Sequence, residues 1–295
     1  GVDVQAYDAD LADLADGTLS ASKVENNEFF ITSAGTNGQI WTSDGDGAGG
    51  WGDNTAATNI NGLTDALVED TGSMYVGNDP SSTTDAADYN LAVGVTALDA
   101  VTTGDYNTAL GYSSLTDNTT GTSNAAYGSQ SLFKNTTGNR NTAFGHQSMH
   151  QNTEGSHNTA VGYLTLKNTT ANSNTAVGNL AMTENISGVD NVALGMSALR
   201  NSTASNYNTA IGKRALYDAN RTADSDGYNI AVGYAAGYTG TNNITTGNKN
   251  TLLGASTAAA SAAATNQTVI GYGASGQADN SVTLGNADVT AVYMS

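Results

Sequence analysis

The chain has 295 residues, with 35 Gly, 1 Pro, no Cys and only 12% charged side chains, and its formal net charge is −18. Large apolar residues are too sparse for one deep core and charge is too sparse for a disordered acidic tail, which leaves a regular array ordered by backbone ladders. Without clustered Lys and Arg or an apolar run of about 18 residues, neither nucleic acid nor membrane insertion is expected, and without Cys there are no disulfides or thiolate metal sites.

At the N-terminus, Val4, Tyr7, Leu11 and Leu14 have the 3-4-3 spacing of a coiled-coil seam, and Gly17 stands where such a helix would stop. The spacing predicts a short helical neck within residues 1–24. Residues 25–72 read as a small β or irregular connector. Its run Gly45-Asp46-Gly47-Ala48-Gly49-Gly50 has an acid and no Lys, the wrong chemistry for a phosphate loop. Residues 1–72 hold 13 acids against one base, Lys23, so most of the net negative charge lies ahead of residue 73.

From residue 73 a phrase Asn-Thr-Ala-apolar-Gly recurs, as in Asn90–Gly94 and Asn107–Gly111. Its closing glycines run from Gly77 to Gly285 at steps of 17 residues, with one step of 16 (Gly162 to Gly178), two of 21 (Gly212 to Gly233 to Gly254) and a last one of 14. Between phrases lie a second short segment (Ser114-Leu115, Ser131-Leu132, Ser148-Met149) and an Asn-Thr-Thr-Gly turn (Asn118–Gly121, Asn135–Gly138). Seventeen residues cannot hold a helix, a strand and their connections. The period predicts an all-β chain, a parallel β-roll or β-helix solenoid of about 13 coils over residues 73–287, each coil reading strand, turn, strand, turn, with Gly and Asn supplying positive φ.

Columns through the stack refine this. The residue before the glycine is apolar at Val93, Leu110, Tyr127, Phe144, Val161, Val177, Leu194, Ile211, Val232, Leu253, Ile270 and Leu284, and is expected to be buried. Strand alternation puts Ala92, Ala109 and their successors on one face with the Asn column, and Thr with the apolar residue on the other. The Asn column from Asn90 to Asn250 predicts an amide ladder that satisfies its own polar groups. One thin coil buries little apolar area, so three coils, intertwined or side by side, are expected to share an axis as a homotrimer.

Candidate chemistry is thin. His146 and His150 are four apart, but on a strand and turn rather than a helix, so they read as surface residues of neighbouring coils, and neither metal nor cofactor is expected. No nucleophile elbow occurs. Loop acids such as Asp224 and Asp226 are the weak case for glycan cleavage. The stronger signal is aromatic: Tyr89, Tyr106, Tyr207 and Tyr228 precede the Asn column, and Tyr112, Tyr163 and Tyr234 come directly after the glycine. The two 21-residue steps insert loops over 217–228 and 238–249, which add Arg221 and Tyr238. These nine residues are the candidate receptor contacts.

The repeat phrases resemble the head repeats of trimeric autotransporter adhesins, and the 17-residue version with its Asn-Thr-Thr-Gly turn is more similar to bacteriophage tail-fibre proteins. Gly1–Leu11 (G-V-D-V-Q-A-Y-D-A-D-L) and Gly35–Trp51 also resemble tail-fibre phrases. Leu284–Ser295 is similar to the stretch before the intramolecular chaperone of endosialidase-type fibres, which implies that residues 288–295 end at a self-cleavage serine, Ser295, the only catalytic role expected. The resemblance implies a non-enzymatic fibre shaft in an extracellular virion, bound to a host-surface glycan or protein and to other tail or baseplate proteins. A bacterial adhesin head and a glycan-degrading tailspike are the alternatives.

Overall fold

The computed structural model describes residues 39–43, 49–53, 66–68, 72–77, 86–220 and 226–293. The chain divides into two compact units, Gly1–Thr64 and Asp65–Ser295. In the first, β1 (Gln39–Ser43) and β2 (Gly49–Asp53) pair antiparallel with Trp41 opposite Trp51, overlapping the phrase Gly35–Trp51. The expected helical neck lies outside the described residues, among which there is no helix.

The second unit is a parallel β-solenoid. Thirteen three-residue strands, from β4 (Met74–Val76) to β16 (Val282–Leu284), stack in chain order, each paired in parallel with the next. The register matches the repeat: Ala109 pairs with Ala126, Ala126 with Ala143 and Ala143 with Ala160. At about 4.8 Å per strand the stack is about 58 Å long. An antiparallel strand, β3 (Ala66–Val68), covers the open edge of β4, although the sequence places it within the connector.

Each coil has one strand, not two. The Ser-Leu segment is bonded coil to coil (Leu115 N–H to the Ser131 carbonyl, 3.0 Å), yet Leu115, Leu132, Met149 and Leu166 sit at φ near +50°. That conformation turns the side chain inward, and all four are fully buried. A left-handed residue costs about 1–2 kcal/mol, and burying a Leu or Met returns about 1.5–3 kcal/mol, so the turn is sustained. Positive φ also falls on the residue before each ladder Asn, whether Tyr106, Arg140 or His157, and not on the Asn itself. The turn glycines are there for space: a Cβ on Gly138 would meet the Asn135 Oδ1 and the Gly155 carbonyl oxygen of the next coil. The closing glycines need both space and φ; Gly145, at +136°, would place a Cβ 2.5 Å from the Gly162 oxygen.

The interior is made of columns. The Asn ladder is present: the Asn107 N–H donates to Asn90 Oδ1 at 2.8 Å, Asn124 to Asn107 at 3.0 Å, and so on until Gln267 donates to Asn250 at 3.0 Å. The Nδ2 groups donate to turn carbonyls of the next coil, as Asn141 does to Gly155 at 2.7 Å. A second ladder runs beside it, with Asn135 Nδ2 on Asn118 Oδ1 (2.7 Å) and Asn152 Nδ2 on Asn135 Oδ1 (2.9 Å). It breaks at the 16-residue coil. There the column passes to Thr169 while Asn168 meets Glu184 instead, and Asn152 Oδ1 is left buried without a partner.

Apolar bulk shifts between two inward positions along the stack. Where the inward turn position carries Leu or Met, the inward strand position is Ala; towards the C-terminal end the larger residue moves to the strand. Leu252 and Val269 occupy the strand position, and Gly237 and Ala258 the turn position. A Cβ on Gly237 would lie 2.9 Å from Leu216 Cδ2 and 3.2 Å from Leu252 Cδ1, so neighbouring coils fill its space. The second insertion adds Ile244, fully buried, to the same core.

The apolar column before the glycine is not buried, contrary to expectation. It lies on the outer face of the sheet, with Leu110 46% and Phe144 57% exposed, and none of its twelve members is fully covered. The interior of a 17-residue coil admits an Ala methyl, a Leu and an Asn amide, and there is no room for a second bulky residue from the strand.

These columns set two stability outcomes. Ala143→Leu should cost about 1–3 kcal/mol by overpacking and Met149→Ala about 2–5 kcal/mol, whereas the pair together, copying the Leu252/Ala258 arrangement, should cost less than their sum in a thermal-unfolding double-mutant cycle. Thr169→Asn supplies the missing amide to Asn152 and should raise the unfolding free energy by about 1 kcal/mol; a lowered midpoint would count against the ladder as described.

Candidate functional site

Two solvent-facing columns gather the aromatic residues. In the column before the ladder Asn, Tyr89 stacks on Tyr106 (centroids 5.0 Å, 11° between planes) and Tyr207 on Tyr228 (5.0 Å, 7°). Parallel register holds equivalent residues one strand spacing apart, which is the face-to-face stacking distance. Between the pairs the column is polar, with an Arg140 guanidinium nitrogen 3.2 Å from His157 Nε2. A hydrogen bond to the Asp226 carboxylate, aided by slight desolvation, raises the Tyr228 phenol above its ordinary pKa.

In the column after the glycine, His146 stacks on Tyr163 (5.6 Å, 16°), while Tyr112 and Tyr234 are exposed. Tyr272, outside the nine candidates, is 75% exposed and continues this column. Of the insertion residues, Tyr238 packs against Tyr217 at 4.7 Å. Arg221 and Ser295 lie outside the described residues.

A groove of about 480 Å³ lies beside the second insertion, lined among others by Arg214, Tyr234, Tyr238, Asn242, Ser256 and Ser275. The loop that builds it is tied down by Asn243, whose Oδ1 accepts from the Gly240 N–H (2.7 Å) and whose Nδ2 donates to Asp218 (3.0 Å). The aromatic members were legible as columns. Arg214 was not, because its position carries Ser, Gln and Leu in other coils.

The histidines are set apart by their ring partners. His150 stacks on Phe133 at 5.2 Å, on the turn, and His146 on Tyr163. Among the described residues no three His, Asp or Glu gather as a metal-ligand set. Burial first, then Lys167, Lys134 and His146, lower the His150 pKa from 6.5, against an opposing pull from Asp117.

Comparison of the chain with family models, with curated proteins and with solved structures returns no match in any of the three. The columns therefore rest on their own geometry: ordered, evenly spaced aromatic and polar side chains along the stack of coils, with a polar groove beside the second insertion.

The lowered His150 pKa has a definite sign. The folded state binds this proton less readily than the unfolded state, so stability is full above the unfolded value near 6.5 and falls as pH drops below it towards the folded value. Unfolding midpoints measured from pH 7.5 to 5.5 should decline less in His150→Phe, which retains a ring against Phe133, than in the parent chain.

Proposed function

We propose that the chain is the shaft of a bacteriophage tail fibre: a homotrimeric, structural and adhesive rod in an extracellular virion. On this reading it joins other tail or baseplate proteins to a host-surface glycan or protein, without catalysis and without a cofactor.

One observation carries the assembly part of this reading. The outer face of the sheet presents two columns, from Met74 and Val76 to Val282 and Leu284, in which no residue is charged. They are Thr, aliphatic and aromatic residues, with Met74, in a chain of net charge −18. All-parallel sheets are covered on both faces, because their strands are apolar on both. Here the coil interior covers one face, and among the described residues of Asp65–Ser295 nothing covers the other. A second and third copy are the natural cover, since a cyclic trimer closes and lets every copy bury the same strip. The linear stack of coils within Asp65–Ser295, the solvent-facing aromatic columns and the resemblance of Gly1–Leu11 and Gly35–Trp51 to tail-fibre phrases support the role in attachment.

Light scattering of the purified chain should give three times the chain mass. Leu194→Asp would bring three carboxylates together inside the strip, an arrangement too costly to bury, and should yield monomers or insoluble chains. Tyr106→Asp, in the column before the Asn ladder, should leave the trimer intact. A monomeric parent chain, or a Leu194→Asp trimer as stable as the parent, would overturn the assembly.

A further inference from the structure

The column after the glycine has a gap of one coil at its C-terminal end. It runs Lys213, Tyr234, Ala255, Tyr272 on four successive coils, because Ile211, Val232, Leu253 and Ile270 pair in register just before them. The backbone stays regular through the gap: the Ser256 N–H donates to the Tyr234 carbonyl at 2.8 Å and the Gly273 N–H to the Ala255 carbonyl at 3.0 Å. Where this column carries rings on adjacent coils, as at His146 and Tyr163, they lie parallel at 5.6 Å. Two strand spacings place the Tyr234 and Tyr272 positions about 10 Å apart along the stack, with Ala255 on the coil between them.

That separation suits one inserted ring. A flat group placed midway lies about 5 Å from each tyrosine, within the stacking range for aromatic partners. Both tyrosines are exposed, so the slot is open to solvent. The adjoining groove begins at Tyr234 and supplies hydroxyl and amide groups from Asn242, Ser256 and Ser275, with Arg214 at one end. No carboxylate lines it among the described residues, and Lys213 stands next to Tyr234 in the column. In a chain with 27 acids and 9 Lys and Arg, Arg214 is the one charged side chain among the described residues that line the groove.

We propose that the Tyr234–Ala255–Tyr272 slot binds one pyranose ring of a carboxylate-bearing oligosaccharide, with the neighbouring sugars in the groove and an acid group at Arg214. The apolar C–H faces of the ring stack on the two phenols, its hydroxyls exchange hydrogen bonds with Ser256 and Asn242, and the guanidinium takes the carboxylate in a charge-assisted pair. An amino-acid side chain would fill the slot equally well, but a run of hydroxyl-bearing groups along an open groove matches the repeating hydroxyls of a glycan. The inference deepens the attachment reading by naming a ligand class, and rests on it for the purpose of binding a surface glycan.

The test uses the full chain on an array of oligosaccharides containing glucuronate, galacturonate or sialate, printed beside neutral counterparts of the same length. The parent chain should bind carboxylated members at least tenfold more strongly than the neutral ones. Ala255→Tyr completes the aromatic column with the protein's own ring, so it should abolish binding while keeping the parent mass and an equal or higher unfolding midpoint. Arg214→Ala should reduce the preference for carboxylated members about tenfold. Binding that persists in Ala255→Tyr, equal signals on neutral members, or no signal from a correctly assembled parent chain would overturn the slot. Light scattering on the same samples separates this from failure of the shaft: a trimer that binds no sugar removes only the slot, and a monomer removes the assembly.

Discussion

The parallel stacking of one coil on the next at a fixed spacing governs the rest of the molecule. In that arrangement each residue meets its own equivalent above and below, so side chains are selected as columns. An amide column can satisfy itself, since each Asn both accepts from and donates to the next coil. A carboxylate or ammonium column would repel itself at every step, which is why charge is rare in the repeat and the interior polar groups are neutral.

The same constraint allots volume. One coil encloses an Asn, a small strand residue and a Leu or Met, and when a coil changes one of these a neighbouring position compensates, as Leu252 and Ile244 do around Gly237. Insertions are tolerated where they leave the register untouched. The two longer coils keep Ala210, Ala231 and Leu252 in line, and the second of them places its added Ile244 in the core. The one-residue deletion before Gly178 keeps the strand in register too, but breaks the second amide ladder. Recognition surfaces therefore arise where the column rule is relaxed, on solvent-facing positions and in the inserted loops.

Outside the coil, register turns sequence into spacing. Tyrosines on adjacent coils stack, and tyrosines two coils apart leave room for a ring. A loop site would need many interactions to set such distances, whereas here the hydrogen-bonded backbone sets them before any ligand arrives. The uncharged strip and the aromatic columns occupy different positions of the coil, so assembly through one leaves the other defined by the same spacing.

The sequence by itself determined the register, the number of coils, the strand in each Asn-Thr-Ala-apolar-Gly phrase and the first Asn ladder, because a period of 17 with Ala and Gly in fixed phase admits only one way of aligning neighbours; the second strand it led one to expect is a turn. It also placed the aromatic columns at Tyr89, Tyr106, Tyr112, Tyr163, Tyr207, Tyr228 and Tyr234. Strand alternation divides residues between two faces but does not say which face is inside. Hydropathy favoured the bulky column of Val93 to Leu284, and the tertiary structure decided for alanine, because the circumference of the coil limits what it can enclose. Tertiary structure alone also decided that Leu115, Tyr106 and Arg140 adopt positive φ, a conformation that residue type argues against and inter-coil hydrogen bonds impose. It put Thr169 rather than Asn168 in the second ladder, and joined Arg214 to Tyr238 in one groove. These outcomes depend on closure of the chain into a coil, a three-dimensional condition that no single period of the sequence contains.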